Sequence, residues 1–81
     1  MPAADKDSDI AQASVFLALL NAEIDDLAVR IEAAVRLERH ARVNDNLTTT
    51  SITRIDAVML RKELHGVHRL VKQLTDRFPA L

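Results

Sequence analysis

Between Pro2 and Pro79 the chain contains one glycine, Gly66, and no proline. These two residues are the strongest punctuators of local structure, so their scarcity over almost the whole length limits what can be built. An all-β or α/β fold needs frequent tight turns and is excluded on that ground. One interior stretch has turn chemistry: Asn44, Asp45 and Asn46, followed after Leu47 by the threonine run 48–50. The chain is therefore expected to be all-α, a single long antiparallel helical hairpin. Helices are predicted over about residues 8–43 and 52–77, with a loop at 44–51 and a disordered start at 1–7.

The helix ends carry plausible signals. Ser8, between Asp7 and Asp9, has the chemistry of an N-cap with anionic neighbours suited to a helix N-terminus. Thr53 followed by Asp56 resembles a capping box for the second helix, which should stop before Pro79. In the first helix apolar residues recur at Ile10, Ala13, Leu17, Leu20, Ile24, Leu27, Ile31 and Ala34, alternating steps of three and four. In the second, Ala57, Leu60, Leu64, Val67, Val71, Leu74 and Phe78 repeat the pattern. That is the spacing of a coiled-coil seam. Ile52, Ile55, Met59 and Leu70 form a second apolar edge. Gly66 lies mid-helix, either to admit a close neighbour or as a tolerated weak point.

The unequal helix lengths carry an expectation about assembly. With an eight-residue loop, the second helix would run out opposite about residues 18–20, and the start of the first would overhang by ~15 Å. That overhang would contain Ile10, Val15, Phe16 and Leu17. Burial of one Leu or Phe side chain is worth about 1.5–3 kcal/mol, so such a patch is expected to be covered. The expected interface is Ile10, Val15, Phe16, Leu17, Leu20, Ile24 and Leu27. A second copy, giving a dimeric four-helix bundle, is the simplest cover. A second, different protein is the other expected partner, with Arg36, Arg39, His40, Arg42 and Arg69 as a charged partner face.

Chemistry-bearing patterns are sparse. There is no cysteine, so neither a disulfide nor a thiolate ligand is available. His65 and His68 share a helix face, but His40 is too distant along the rods to join them as a third metal ligand. No Gly-rich phosphate loop, H-E-x-x-H or G-x-S-x-G occurs. No cofactor, no metal and no enzymatic activity are expected. The net charge of −1 gives no general attraction to nucleic acid or anionic lipid. Residues 27–81 carry ten basic against six acidic side chains, yet no aromatic residue interleaves the basic ones, and nucleic acid is not an expected partner. The apolar run at 15–20 is too short to span a membrane and follows Asp5, Asp7 and Asp9 rather than a basic segment, so a cytoplasmic protein is expected.

One family likeness is carried by Ile52, Ile55, Asp56, Leu60, Arg61, Arg69, Leu70, Leu74 and Phe78, with Arg39, His40, Ala41 and Arg42 upstream. Over about residues 29–78 this pattern resembles the C-terminal helical region of bacterial putative nucleotidyltransferases that carry CBS domains. The Gly/Pro-containing loop of that group is replaced here by residues 43–51, and its catalytic Gly-Ser pair and spaced aspartates have no counterpart. The resemblance implies a helical accessory to a nucleotidyltransferase rather than the catalyst.

Overall fold

The protein is an all-α antiparallel hairpin. In the computed structural model, which describes residues 2–81 with side-chain environments from residue 7, two helices follow one another: α1 (Pro2–Val43) and α2 (Leu47–Arg77). The molecule measures 65 × 14 × 14 Å, a rod one helix pair thick along most of its length. Met1 lies outside the described residues. Residues 2–7 belong to α1 rather than to a disordered start, and Ser8 lies inside the helix rather than capping it.

The interhelical connection is three residues long, 44–46, not the eight expected. Asp45 takes a left-handed backbone conformation, φ 56°, which Asp tolerates better than most residues with a Cβ. Its N–H donates to the Arg42 carbonyl at 3.2 Å, and the Asn46 N–H donates to the Ala41 carbonyl at 2.8 Å. Together these two bonds close the Schellman motif that terminates α1. Asn46 then starts α2 at once, its side-chain oxygen accepting from the Thr49 N–H at 3.0 Å. Thus Asn46, not Thr53, is the N-cap, and the threonine run is helical. The Thr50 hydroxyl donates to the Asn46 carbonyl and the Thr53 hydroxyl to the Thr49 carbonyl, each at 2.8 Å. Such back-bonding satisfies the polar groups without an external partner.

The tight turn moves α2 along α1. Leu74, Arg77 and Phe78 share a groove with Asp9, Gln12, Ala13 and Phe16. The overhang is therefore displaced: Val15, Phe16 and Leu17 lie alongside α2, which ends at Arg77 in the groove shared with Asp9, Gln12 and Phe16, and it is the first turns of α1, up to about residue 9, that extend beyond it. An early N-cap and a short loop are the physical reasons.

Both seams hold in heptad order, with a and d facing the opposite helix. In α1 the d residues Ala13, Leu20, Leu27, Ala34 and Ala41 are all buried, and the a residues Ile10, Leu17, Ile24, Ile31 and Glu38 are all half-buried. In α2 Thr50, Thr53 and Ala57 are buried, whereas Leu60, Leu64, Val67, Val71, Leu74 and Phe78 are half-buried. The seam thus runs further toward the turn than the apolar pattern indicated. It takes in Ala41, Thr50, Thr53 and one charge, Glu38.

Candidate protein interface

Besides its seam, each helix presents flanking positions that decide what the hairpin's two broad sides are made of. Positions g and c lie on one side of an antiparallel pair, positions e and b on the other. Two open grooves between the helices fall on the g/c side. Nearer the turn, Arg30, Ala33, Leu37, Asp56, Met59 and Glu63 line the first. Nearer the open end, Asp9, Gln12, Phe16 and Arg77 line the second, over Leu74 and Phe78. Two further grooves each belong to a single helix and lie away from this side. Arg36 and Arg39 line one with Glu32 and Val35. Arg61, Lys62, His65 and Arg69 line the other with Val58.

The two sides differ in character. Six large exposed apolar side chains occupy the g/c side: Phe16, Leu19 and Leu37 from α1, and Ile52, Met59 and Leu70 from α2. The e/b side has two, Leu47 and Val58, among Arg39, Arg54, Arg61, His65, His68 and Lys72. An apolar patch that crosses both helices and is rimmed by charge has the form of a protein-binding surface. Charges at Glu23, Asp26, Arg30 and Glu63 divide it into two apolar clusters, one toward each end of the rod. Asp26 and Arg30 form an ion pair of 3.7 Å within α1.

The structure does not bring the seven sequence-derived interface residues together. Leu27 is fully enclosed at 0 % exposure and Leu20 is buried, so both serve the hairpin's own seam and neither is free for a partner. Ile10, Leu17 and Ile24 are half-buried in the same seam. Phe16, 46 % exposed, belongs to the apolar side, whereas Val15 projects from the back of α1. Leu19 and Leu37 were missed because α1 is apolar on more than one side, which blurs its 3.6-residue period. The signal that finds them is the g/c register, once the seam is known.

The charged partner face is likewise dispersed. Arg42 is tied to Glu38 at 2.6 Å, and His40 Nε2 lies 3.1 Å from the Asn44 side-chain nitrogen at the turn. Arg36 and Arg39 flank a groove on α1, and Arg69 flanks one on α2. Glu38 also accepts from Arg54 of α2 at 3.2 Å, and this bond, with the positive charges of Arg54 and Arg42, holds its carboxyl below the usual carboxylate range. Lys72 donates to Asp76 at 2.7 Å, which raises its ammonium pKa. Arg77 stands over the Phe78 ring, 5.5 Å from its centroid. His65 and His68 are both exposed, and among the described residues no three His, Asp or Glu side chains gather as a metal site. No helix among them is long and apolar enough to cross a membrane.

No family model, no curated protein and no solved structure matches the chain.

Proposed function

We propose that this protein is a non-enzymatic helical interaction module: a small adaptor, regulator or inhibitor, of the kind phages and plasmids encode. It works by docking its g/c side on another helical surface. Without a foreign partner the side is covered by a second copy, completing a four-helix bundle. The observation that carries the reading is the six-residue apolar surface of Phe16, Leu19, Leu37, Ile52, Met59 and Leu70. The area agrees with it. The chain exposes 6180 Å². A compact monomer of 9.0 kDa exposes about 4,900 Å². A two-helix rod has no second layer, and a rod laid alongside would remove on the order of 800 Å² per chain, the size of a specific interface.

Sedimentation equilibrium at micromolar concentration tests this. The expected particle has twice the 9.0 kDa chain mass. Met59→Glu, on the exposed surface, is expected to return it to a helical monomer by raising the dimer Kd at least about a hundredfold. A wild-type chain that stays monomeric at every accessible concentration removes the self-pairing reading.

A second reading is favoured by the α2 groove of Arg61, Lys62, His65 and Arg69, which has no acidic residue in its lining. It suits an accessory to a nucleotidyltransferase that contacts the catalytic subunit or its anionic substrate. Nucleic-acid binding is the third class. Salt-sensitive retention on nucleic acid, with loss on Arg61→Ala or Arg69→Ala, separates the third from the first.

A further inference from the structure

We infer that the second copy lies head to tail on the first, with the two-fold axis in the plane of the g/c side, across the rods, between Glu23 and Arg30. This rests on the self-pairing proposed above and fixes its geometry. The argument starts from the positions of the groups along the rod. The tight turn sets α2 against α1 so that Phe78 lies by Ala13 and Arg54 by Glu38. From the open end to the turn, the g/c side then reads apolar (Phe16, Leu19, Leu70), charged (Glu23, Asp26, Glu63, Arg30), and apolar again (Met59, Leu37, Ile52).

Two orientations bring such a side against itself with two-fold symmetry. With the rods head to head, α1 faces α2 of the other copy at equal height. Phe16 then falls between Gln73 and Arg77, Glu23 falls beside Leu70, and Leu37 falls between Asp56 and Ile52, so that no large apolar side chain stands squarely opposite another. Charge facing an apolar side chain in a buried interface is unfavourable. With the rods head to tail, α1 faces α1 and α2 faces α2. Phe16 then meets Leu37, Leu19 meets Ala33 and Glu23 meets Arg30, and the one apolar-to-charge pairing, Ile52 with Arg77, falls at the ends of the interface. The same axis lays Met59 over Leu70, although nothing in the choice of the α1 pairs required it. The two Asp26 carboxylates come beside the axis, each already tied to its own Arg30.

Gly66 takes a meaning in this arrangement. It sits at a c position in the middle of α2, where glycine weakens a helix. A Cβ there would meet nothing of its own chain within 4 Å, so the hairpin has no need of a glycine. In the head-to-tail dimer Gly66 lies next to the axis, opposite Glu63 of the other copy, and its bare backbone leaves room for that side chain and for close approach of the two α2 helices.

Two measurements decide the matter, both on the full chain. The protein has no cysteine, so Ala11→Cys gives one spin-label site per chain, on the side away from the interface. Pulsed dipolar spectroscopy is expected to return a separation of about 45–50 Å between copies, the helical rise counted out from the axis. A separation under about 25 Å means rods side by side in the same direction, and overturns the orientation while leaving self-pairing intact. Absence of any dipolar distance means no dimer, and overturns both. In the second measurement, Gly66→Leu is expected to keep or raise helicity while raising the dimer Kd at least about tenfold. An unchanged Kd overturns the placing of Gly66 at the axis.

Discussion

The two ends of the hairpin solve the same packing problem with different materials. Next to the turn the seam is made of Ala34, Ala41, Thr50, Thr53 and Ala57, all buried. Small side chains let the two helices close over these positions, with Glu38 half-buried among them. Hydrogen bonds do the specifying there: the Schellman pair, the Asn46 cap and the threonine back-bonds. Toward the open end the seam contains Leu64, Val67, Val71, Leu74 and Phe78, and all of them are only half-buried. The α1 residues opposite them, Ala13, Leu20 and Leu27, are buried, so the pair encloses the α1 side of the seam there and leaves the larger α2 side chains partly exposed. Both ends keep exposed apolar side chains outside the seam, Leu37, Ile52 and Met59 toward the turn and Phe16, Leu19 and Leu70 toward the open end; what differs is how far the seam itself is closed. The difference teaches that hydrogen bonds at the turn set the register and apolar bulk carries the seam from there to the open end.

The largest way to break this comparison is at Leu27, among the described residues the one large side chain with no exposure, where the two regimes meet. Leu27→Ala is expected to lower stability by about 2–5 kcal/mol through lost burial and a residual cavity. For a hairpin this small that approaches the whole margin of folding. Helical circular dichroism followed through a urea titration measures it. A loss below about 1 kcal/mol means that the seam closes over the gap, and that Leu27 is not the hinge between the two regimes.

A smaller effect sharpens the claim about the turn end. Ala41→Leu supplies the bulk that the open end uses, at a site closed by Thr50 and by the turn backbone. Overpacking there is expected to cost about 1–3 kcal/mol despite the better hydrophobicity of Leu. The same urea titration reads it. Stabilisation by Leu would show that the small residues near the turn are incidental rather than fitted.

Much of this architecture was legible in the sequence, and what was not had a physical cause. Ile10 to Ala34 and Ala57 to Phe78 announced both seams, because large apolar residues at steps of three and four admit one reading. The turn-proximal seam was hidden because Ala41, Thr50 and Thr53 carry no strong apolar signal, and threonine suggests a loop or a cap. Five residues of α2 were consequently assigned to the loop, and the displaced register placed Val15, Phe16 and Leu17 in an overhang, whereas they lie alongside α2. The exposed apolar g/c side was half legible. Ile52, Met59 and Leu70 stood out as a second edge on α2. Their neighbours on α1, Leu19 and Leu37, fall into place only after the turn has fixed which α1 residues stand beside them.

The smallest expected effect concerns Glu38, the charge in the seam, which meets Arg54 across the helices and Arg42 within α1. Its carboxyl is held below the ordinary range chiefly by the bond from Arg54, so the folded state binds that proton more weakly than the unfolded chain does. The stabilisation is therefore present above the unfolded carboxylate pKa and is lost as pH falls through the lower, folded value. Both arginines are more than half exposed, so solvent and salt screen the pairs and the effect is modest. Glu38→Gln keeps the shape and removes the charge. The wild type should melt above Glu38→Gln at pH 7, and the gap should narrow on acidification toward pH 3 and with added salt. If the gap stays constant with pH, Glu38 holds the register through shape and hydrogen bonding alone. The turn end would then owe nothing to charge, and its contrast with the open end would reduce to the size of its side chains.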